Sequence, residues 1–318
     1  MMNDMIHRIE LFAHAKINLS LTVHEKRPDG YHNITSLMQD IGLYDVVNIE
    51  KCLPDSTKCT VAHCDIFGVV VYLYSEAKEI PAGMDNLALK GVRAVLEALP
   101  AAKFKDLKAL KIGIDKRLPV AAGIAGGSGN AAVSMLGLNA ILGYPLSLRD
   151  LMNIGISVGA DVPFSLMMNA HRNLSKLKKL CGIEESSSAA LIRGIGDIVE
   201  PKEPIHKYII LANPGISVST REAYEAIDGS AIGTQNIELF ENDFEEYTLG
   251  AYPEAAELKK YMQNNLCADS VLMSGSGPTM VAYYSDKAIA EENFITIKEY
   301  GYSRDNLRVW LTETGSQR

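Results

Sequence analysis

The chain has 318 residues, 47% hydrophobic and 22% charged, with a formal net charge of -8 and a pI near 5.5. This is ordinary globular composition with length for a large domain or, as expected here, two. The acidic balance argues against nucleic acid or an anionic membrane as partner, since either needs a basic face.

In chain order, strands are expected over 8–13, 16–24, 43–50, 68–74 and 108–115, and helices over 86–99, 129–142 and 148–158. The opening Met1-Met2-Asn3-Asp4 lacks a basic stretch ahead of an apolar core, and the longest apolar run, near 67–74, is too short to span a bilayer; a cytoplasmic location follows as an expectation. In the second strand Ile17, Leu19, Leu21 and Val23 recur at period two, which predicts one buried face and places Lys16 and Asn18 together on the other. The strand runs into a turn, Arg27-Pro28-Asp29-Gly30, that delivers Tyr31 and His32. Five cysteines without a regular framework fit a reducing compartment. Cys52, Cys59, His63 and Cys64 are neighbours but lack the paired Cys-x-x-Cys spacing of structural zinc sites. Asp85 is the expected cap of the helix from 86, and Ser147 with Asp150 resembles a capping box.

The later part reads strand 207–213, helices 219–227 and 254–265, strand 279–284, helix 287–299 and strand 306–312. Strands and helices do not alternate regularly, so an α+β architecture in two lobes is expected. Segment 171–190 carries a basic cluster and then a serine run, the pattern of an inserted surface excursion or a boundary between lobes.

Three further segments bear on chemistry. A strand ends near Asp115, a loop of Pro119, Val120, Ala121, Ala122, Gly123, Ile124, Ala125, Gly126, Gly127, Ser128 and Gly129 follows, and a helix opens near Asn130. Small residues let consecutive N–H groups converge, and a helix start adds roughly half a positive charge, which together suit a polyphosphate. No lysine follows the glycines as in a P-loop, and a tight connection packed for steric reasons gives the same composition. Asp161, in Gly159-Ala160-Asp161-Val162-Pro163-Phe164, is expected at a helix exit among apolar residues. A carboxylate there is costly unless a cation or donors hold it; Lys16 is one candidate, and a plain helix-terminating turn is the alternative. Met273-Ser274-Gly275-Ser276-Gly277-Pro278-Thr279 is a second glycine loop, feeding a strand.

In this order the segments resemble the GHMP small-molecule kinases, over about 10–285. Ala15-Lys16-Ile17-Asn18, the Tyr31-His32 turn and Pro214-Gly215-Ile216-Ser217-Val218-Ser219-Thr220 are similar to the branch whose acceptor is a cytidine diphosphate methylerythritol of the non-mevalonate isoprenoid pathway. The resemblance implies an N-terminal ATP-binding lobe, ribosomal S5 domain 2-like, over 1–170, an insertion or linker over 171–198, and a C-terminal α/β substrate lobe over 199–318. It implies ATP and Mg²⁺ as cofactors, with the phosphates on the loop from Pro119 to Asn130. Asp161 would take a proton from the substrate hydroxyl, Lys16 would orient that carboxylate, and Asn18 would sit near the same hydroxyl. Tyr31 would stack on the pyrimidine, His32 would hydrogen-bond it, and Thr220 and Tyr224 would form the opposite wall.

Departures from the family pattern are specific. Ala121, Ala122 and Ala125 stand where glycine is expected, Gly129 replaces a hydroxyl residue, and His14 replaces a common proline. Met167-Met168-Asn169 replaces a glycine-rich step, and the turn Gly194-Ile195-Gly196-Asp197 comes late. Two alternatives stay open: a degenerate member that binds a nucleotide-type ligand without phosphorylating it, and a GHMP kinase for another small alcohol such as homoserine or mevalonate.

Overall fold

Residues 8–26 contain neither glycine nor proline, and they form one long strand, β1 (Arg8–Lys26), where two were expected. The computed structural model describes residues 6–54, 61–120, 122–228, 240–301 and 304–315. After the turn at Gly30 (φ +88°) comes β2 (His32–Cys52), which begins well before the expected residue 43. Polar residues at Ser36 and Gln39 interrupt the apolar pattern there but are hydrogen-bonded, Ser36 to Asn18 and Gln39 to the backbone of Ile205.

The remaining elements are β3 (Ala62–Ile66), β4 (Val69–Tyr74), α1 (Leu87–Glu97), β5 (Ala109–Asp115), α2 (Gly126–Ile141), α3 (Leu148–Gly155), α4 (Val162–Arg172), β6 (Ala189–Gly194), β7 (Ile198–Lys202), β8 (Tyr208–Asn213), α5 (Thr220–Ile227), α6 (Phe244–Ala251), α7 (Pro253–Asn265), β9 (Ser270–Met273), β10 (Met280–Tyr284), α8 (Lys287–Gly301) and β11 (Arg308–Glu313). The order is α+β, as expected; β3, α4, β6, β7, α6 and β9 are additions to the sequence reading. The cap of α1 is Asn86, whose side chain accepts from Ala88 N, while Asp85 ends a short 3₁₀ turn. At α3 the Ser147–Asp150 capping box is present. No helix among the described residues is long and apolar enough to cross a membrane.

Two compact units partition the chain. The first comprises Met1–Ala15, Leu43–Val120 and Ala125–Ser188, the second Lys16–Gly42, Ala121–Ile124 and Ala189–Arg318. In the first unit the strand order is β3-β4-β5-β2, with β4 parallel to β5 and β2 antiparallel to β5. Helix α2 has no polar face and is buried almost throughout, as expected for a helix enclosed on all sides. Its small residues permit this: a Cβ on Gly137 would come 2.6 Å from Ile49 Cδ1, and one on Gly91 of α1 would meet Ala131 O at 3.1 Å. Polar residues of α4 and its C-cap hold β1, since Asn169 Oδ1 accepts from His14 N and Asn173, the C-cap, bonds both N and O of Phe12.

In the second unit the first part of β2 pairs with β6, and β6 with β7. A separate antiparallel sheet runs β11-β8-β10-β9. Segment 171–190 divides between the units: Leu177 and Leu180 enter the core of the first, and Ala189 and Ala190 open β6 in the second. Leu177→Ala should therefore cost about 2–5 kcal/mol in equilibrium unfolding, whereas a leucine on a surface excursion would cost under about 0.5.

Candidate active site

Lys16 and Asn18 lie on the face of β1 expected to be open, yet Lys16 is only 3% exposed and Asn18 1%. A buried ammonium is costly unless hydrogen-bonded. Lys16 Nζ donates to Asn18 Oδ1 at 2.8 Å, Asn18 Nδ2 to Ser36 Oγ at 2.8 Å, and Ser36 Oγ to the Ser20 carbonyl at 2.5 Å. The period-two spacing of Lys16, Asn18 and Ser20 lines these groups along one strand face. The ammonium is thus fixed by a polar row running across β1 and β2.

The backbone of Lys16 also anchors part of the small-residue loop, its N–H donating to Ile124 O at 3.1 Å. Gly123 has φ +73°, and a Cβ there would fall 2.4 Å from Ser274 O and 2.9 Å from Gly277 O. Ser274 Oγ donates to Gly123 O at 3.0 Å. The two glycine loops identified separately in the sequence are therefore interlocked, at an approach only glycine permits. Asn242 Nδ2 donates to both Met273 O and Gly275 O, and Thr248 Oγ1 donates to Ser276 O, holding the second loop.

In the first unit the loop ends at Ala125 (φ +55°), the left-handed N-cap of α2, and the helix opens at Gly126, earlier than the expected Asn130. A methyl side chain cannot cap, so α2 begins without a side-chain acceptor from its N-cap residue. Gly126 and Gly127 form its first turn, followed by Ser128, Gly129 and Asn130; Asn130 is buried and its Oδ1 has no hydrogen-bond partner. Gly129 packs against β1, where a Cβ would meet His14 O at 3.0 Å. Pro119 is half-buried and Val120 exposed; Ala122 is buried, and Ala121 lies outside the described residues.

Two residues the sequence reading passed over shape this helix start. Buried Asp45 accepts from Arg117 N at 2.7 Å, Leu118 N at 2.8 Å and Lys116 Nζ at 2.7 Å. Lys116 Nζ is 3.2 Å from the position a Cβ on Gly126 would take, which sets the Asp45–Lys116 ion pair beside the first turn of α2. The available signal was Asp45 itself, an acid interrupting the apolar run of β2.

Asp161 does not sit at a helix exit. It occupies the N-cap position of α4, half-buried, with no side-chain hydrogen bond to the first turn, and Pro163 lies in that turn. The residues expected at a pyrimidine lie in the second unit. Tyr31 is 62% exposed; Tyr224 stacks on the His32 ring (centroids 5.4 Å apart, 24° between planes) and meets Phe244 edge-on at 4.8 Å. Both His32 ring nitrogens are engaged, Nδ1 with His24 O at 2.8 Å and Nε2 with Asp228 Oδ1 at 2.9 Å. Thr220 opens α5 and its Oγ1 lies 2.8 Å from Ser276 Oγ, which joins the substrate-type motif to the second glycine loop.

Of the cysteine–histidine group, Cys59 lies outside the described residues, and the His63 ring lies beside that of Tyr72. No group of three or more His, Cys, Asp or Glu suited to a metal occurs among the described residues. Of the alanines replacing glycine, Ala125 has a left-handed backbone, and Ala122 is not among the described residues with positive φ. Ala125→Gly should leave the loop in place and raise stability by about 1 kcal/mol, read as a shift in denaturation midpoint; an unchanged midpoint would mean that the strain is negligible.

Residues 86–169 match the family of the GHMP kinases N terminal domain. Over 296 residues the chain is 35% identical to a 4-diphosphocytidyl-2-C-methyl-D-erythritol kinase of Alkaliphilus oremlandii, covering 87% of this chain and 88% of that one. A kinase of the same name from Caldicellulosiruptor bescii is 33% identical over 313 residues, 92% of this chain and 96% of its own. Among solved structures, a 4-(cytidine 5'-diphospho)-2C-methyl-D-erythritol kinase aligns with a TM-score of 0.71 at 25% identity, covering 97% of this chain and 100% of that one. The chain belongs to the 4-diphosphocytidyl-2-C-methyl-D-erythritol kinase family of the GHMP kinases.

Proposed function

We propose that the chain transfers the terminal phosphoryl group of ATP to the 2-hydroxyl of 4-diphosphocytidyl-2-C-methyl-D-erythritol, in the cytoplasm, as a step of non-mevalonate isoprenoid precursor synthesis. The observation that carries this reading is Lys16, a buried ammonium fixed through Asn18 and Ser36, in a chain 35% identical to a kinase of that name.

Asp161, at the N-cap of α4, is the proposed proton acceptor for the substrate hydroxyl. The proposed role of Lys16 is to balance charge on the transferred group, with Asn18 near the substrate hydroxyl. Phosphoryl transfer depends mainly on positioning and electrostatics, so a held lysine and an aspartate are chemically sufficient. The ATP phosphates fall to the loop 119–130; the uncapped start of α2 and its glycine turn suit polyanion binding. Mg²⁺ carried on the triphosphate would neutralise phosphate charge, and the buried Asn130 Oδ1 is the kind of oxygen its hydration shell engages.

Tyr31, His32, Thr220 and Tyr224 are the proposed cytidine-recognising residues. With its ring nitrogens engaged and its side chain buried, His32 offers its main chain more readily than a free ring edge. Asp161→Asn is expected to lower kcat by roughly 10²–10⁴-fold while the KM for the cytidine substrate stays within about twofold. Unchanged kcat in that variant would remove Asp161 from the mechanism.

A further inference from the structure

Asp228 is the C-cap of α5, immediately after the helix that carries Thr220 and Tyr224. A carboxylate at this end faces the negative pole of the helix, so capping does not account for it. Its partners do. Oδ2 pairs with the Lys26 ammonium, and Oδ1 lies 2.9 Å from His32 Nε2. Lys26 first, and His32 after it, hold the Asp228 carboxyl below the usual carboxylate range.

The other side of the imidazole is equally constrained. Nδ1 is 2.8 Å from His24 O, an atom that can only accept, so Nδ1 carries a proton. Nε2 in turn lies 2.9 Å from Asp228 Oδ1, so both ring nitrogens are held. The His32 side chain is only 3% exposed, and its ring stacks on Tyr224. Fixing the ring at Nε2 therefore fixes that stacking, and with Phe244 edge-on to Tyr224 the three rings form one supported row.

We infer that Asp228 is the positioning residue of the pyrimidine-recognising group: it holds the His32 ring by Nε2 and, through His32, holds the face of Tyr224. The inference rests on the assignment of Tyr31, His32 and Tyr224 to the cytidine end of the substrate. Asp228 acts through His32 and takes no part in phosphoryl transfer.

The test is steady-state kinetics of Asp228→Ala and Asp228→Glu, with ¹⁵N NMR of the His32 imidazole in each. In Asp228→Ala the KM for the cytidine substrate should rise roughly tenfold, the loss of one charge-assisted hydrogen bond, while kcat and the KM for ATP stay within about twofold. Asp228→Glu should recover most of the KM, and the Nε2 resonance should move in the alanine variant and return in the glutamate one. An Nε2 resonance unmoved by Asp228→Ala, or a loss falling equally on kcat and the KM for ATP, would overturn the inference. If the unaltered chain neither binds nor phosphorylates the cytidine substrate, the functional reading fails and the pyrimidine role of Asp228 falls with it; that result needs no variant and is therefore distinct.

Discussion

The close approach of two backbones at Gly123 is the constraint on which the second unit's candidate residues depend. No side chain fits between Gly123 and the carbonyls of Ser274 and Gly277, and Gly123 φ is positive as well. Because the loops meet there, Ile124 O reaches the amide of Lys16, and Ser274 Oγ reaches Gly123 O. The same second loop, through Ser276, meets Thr220 at the start of α5. One steric requirement thus places the backbone of the catalytic candidate, a stretch of the phosphate-type loop and the first residue of the substrate-type helix.

Burial of polar groups is the second theme. Lys16, Asn18 and Ser36 lose water but retain hydrogen bonds, so the cost of desolvation is offset and the side chains have little freedom. In the first unit Asp45 does the same for the residues leading into the loop, binding two backbone amides and the Lys116 ammonium. Removing one partner of such a pair leaves a buried charge uncompensated, which makes these positions rigid. Rigidity suits phosphoryl transfer, where preorganised charge does most of the work.

Much of this was legible in the sequence because it depends on local chemistry. The period-two pair Lys16 and Asn18, the Ser147–Asp150 box and the small-residue stretch leading into α2 each declare a geometry within a few residues. What escaped depends on distant partners. The start of β2 at His32 rather than residue 43 rests on such partners, since Ser36 and Gln39 within it are hydrogen-bonded to Asn18 and to Ile205. Asp161 was expected at a helix exit because it follows the helix expected over 148–158, whereas Pro163 lies in the first turn of a new helix, α4. The segment 171–190 looked like linker because its basic and serine residues outnumber the two leucines that it buries. Nor could composition show that two glycine loops, far apart in the chain, would touch.

The central claim is most directly tested by ADP release from the purified protein with Mg-ATP and 4-diphosphocytidyl-2-C-methyl-D-erythritol, beside homoserine and mevalonate as competing acceptors. The account expects turnover with the cytidine-linked acceptor and none with the other two. Turnover on homoserine or mevalonate, or binding of the cytidine compound without any ADP release, would contradict it.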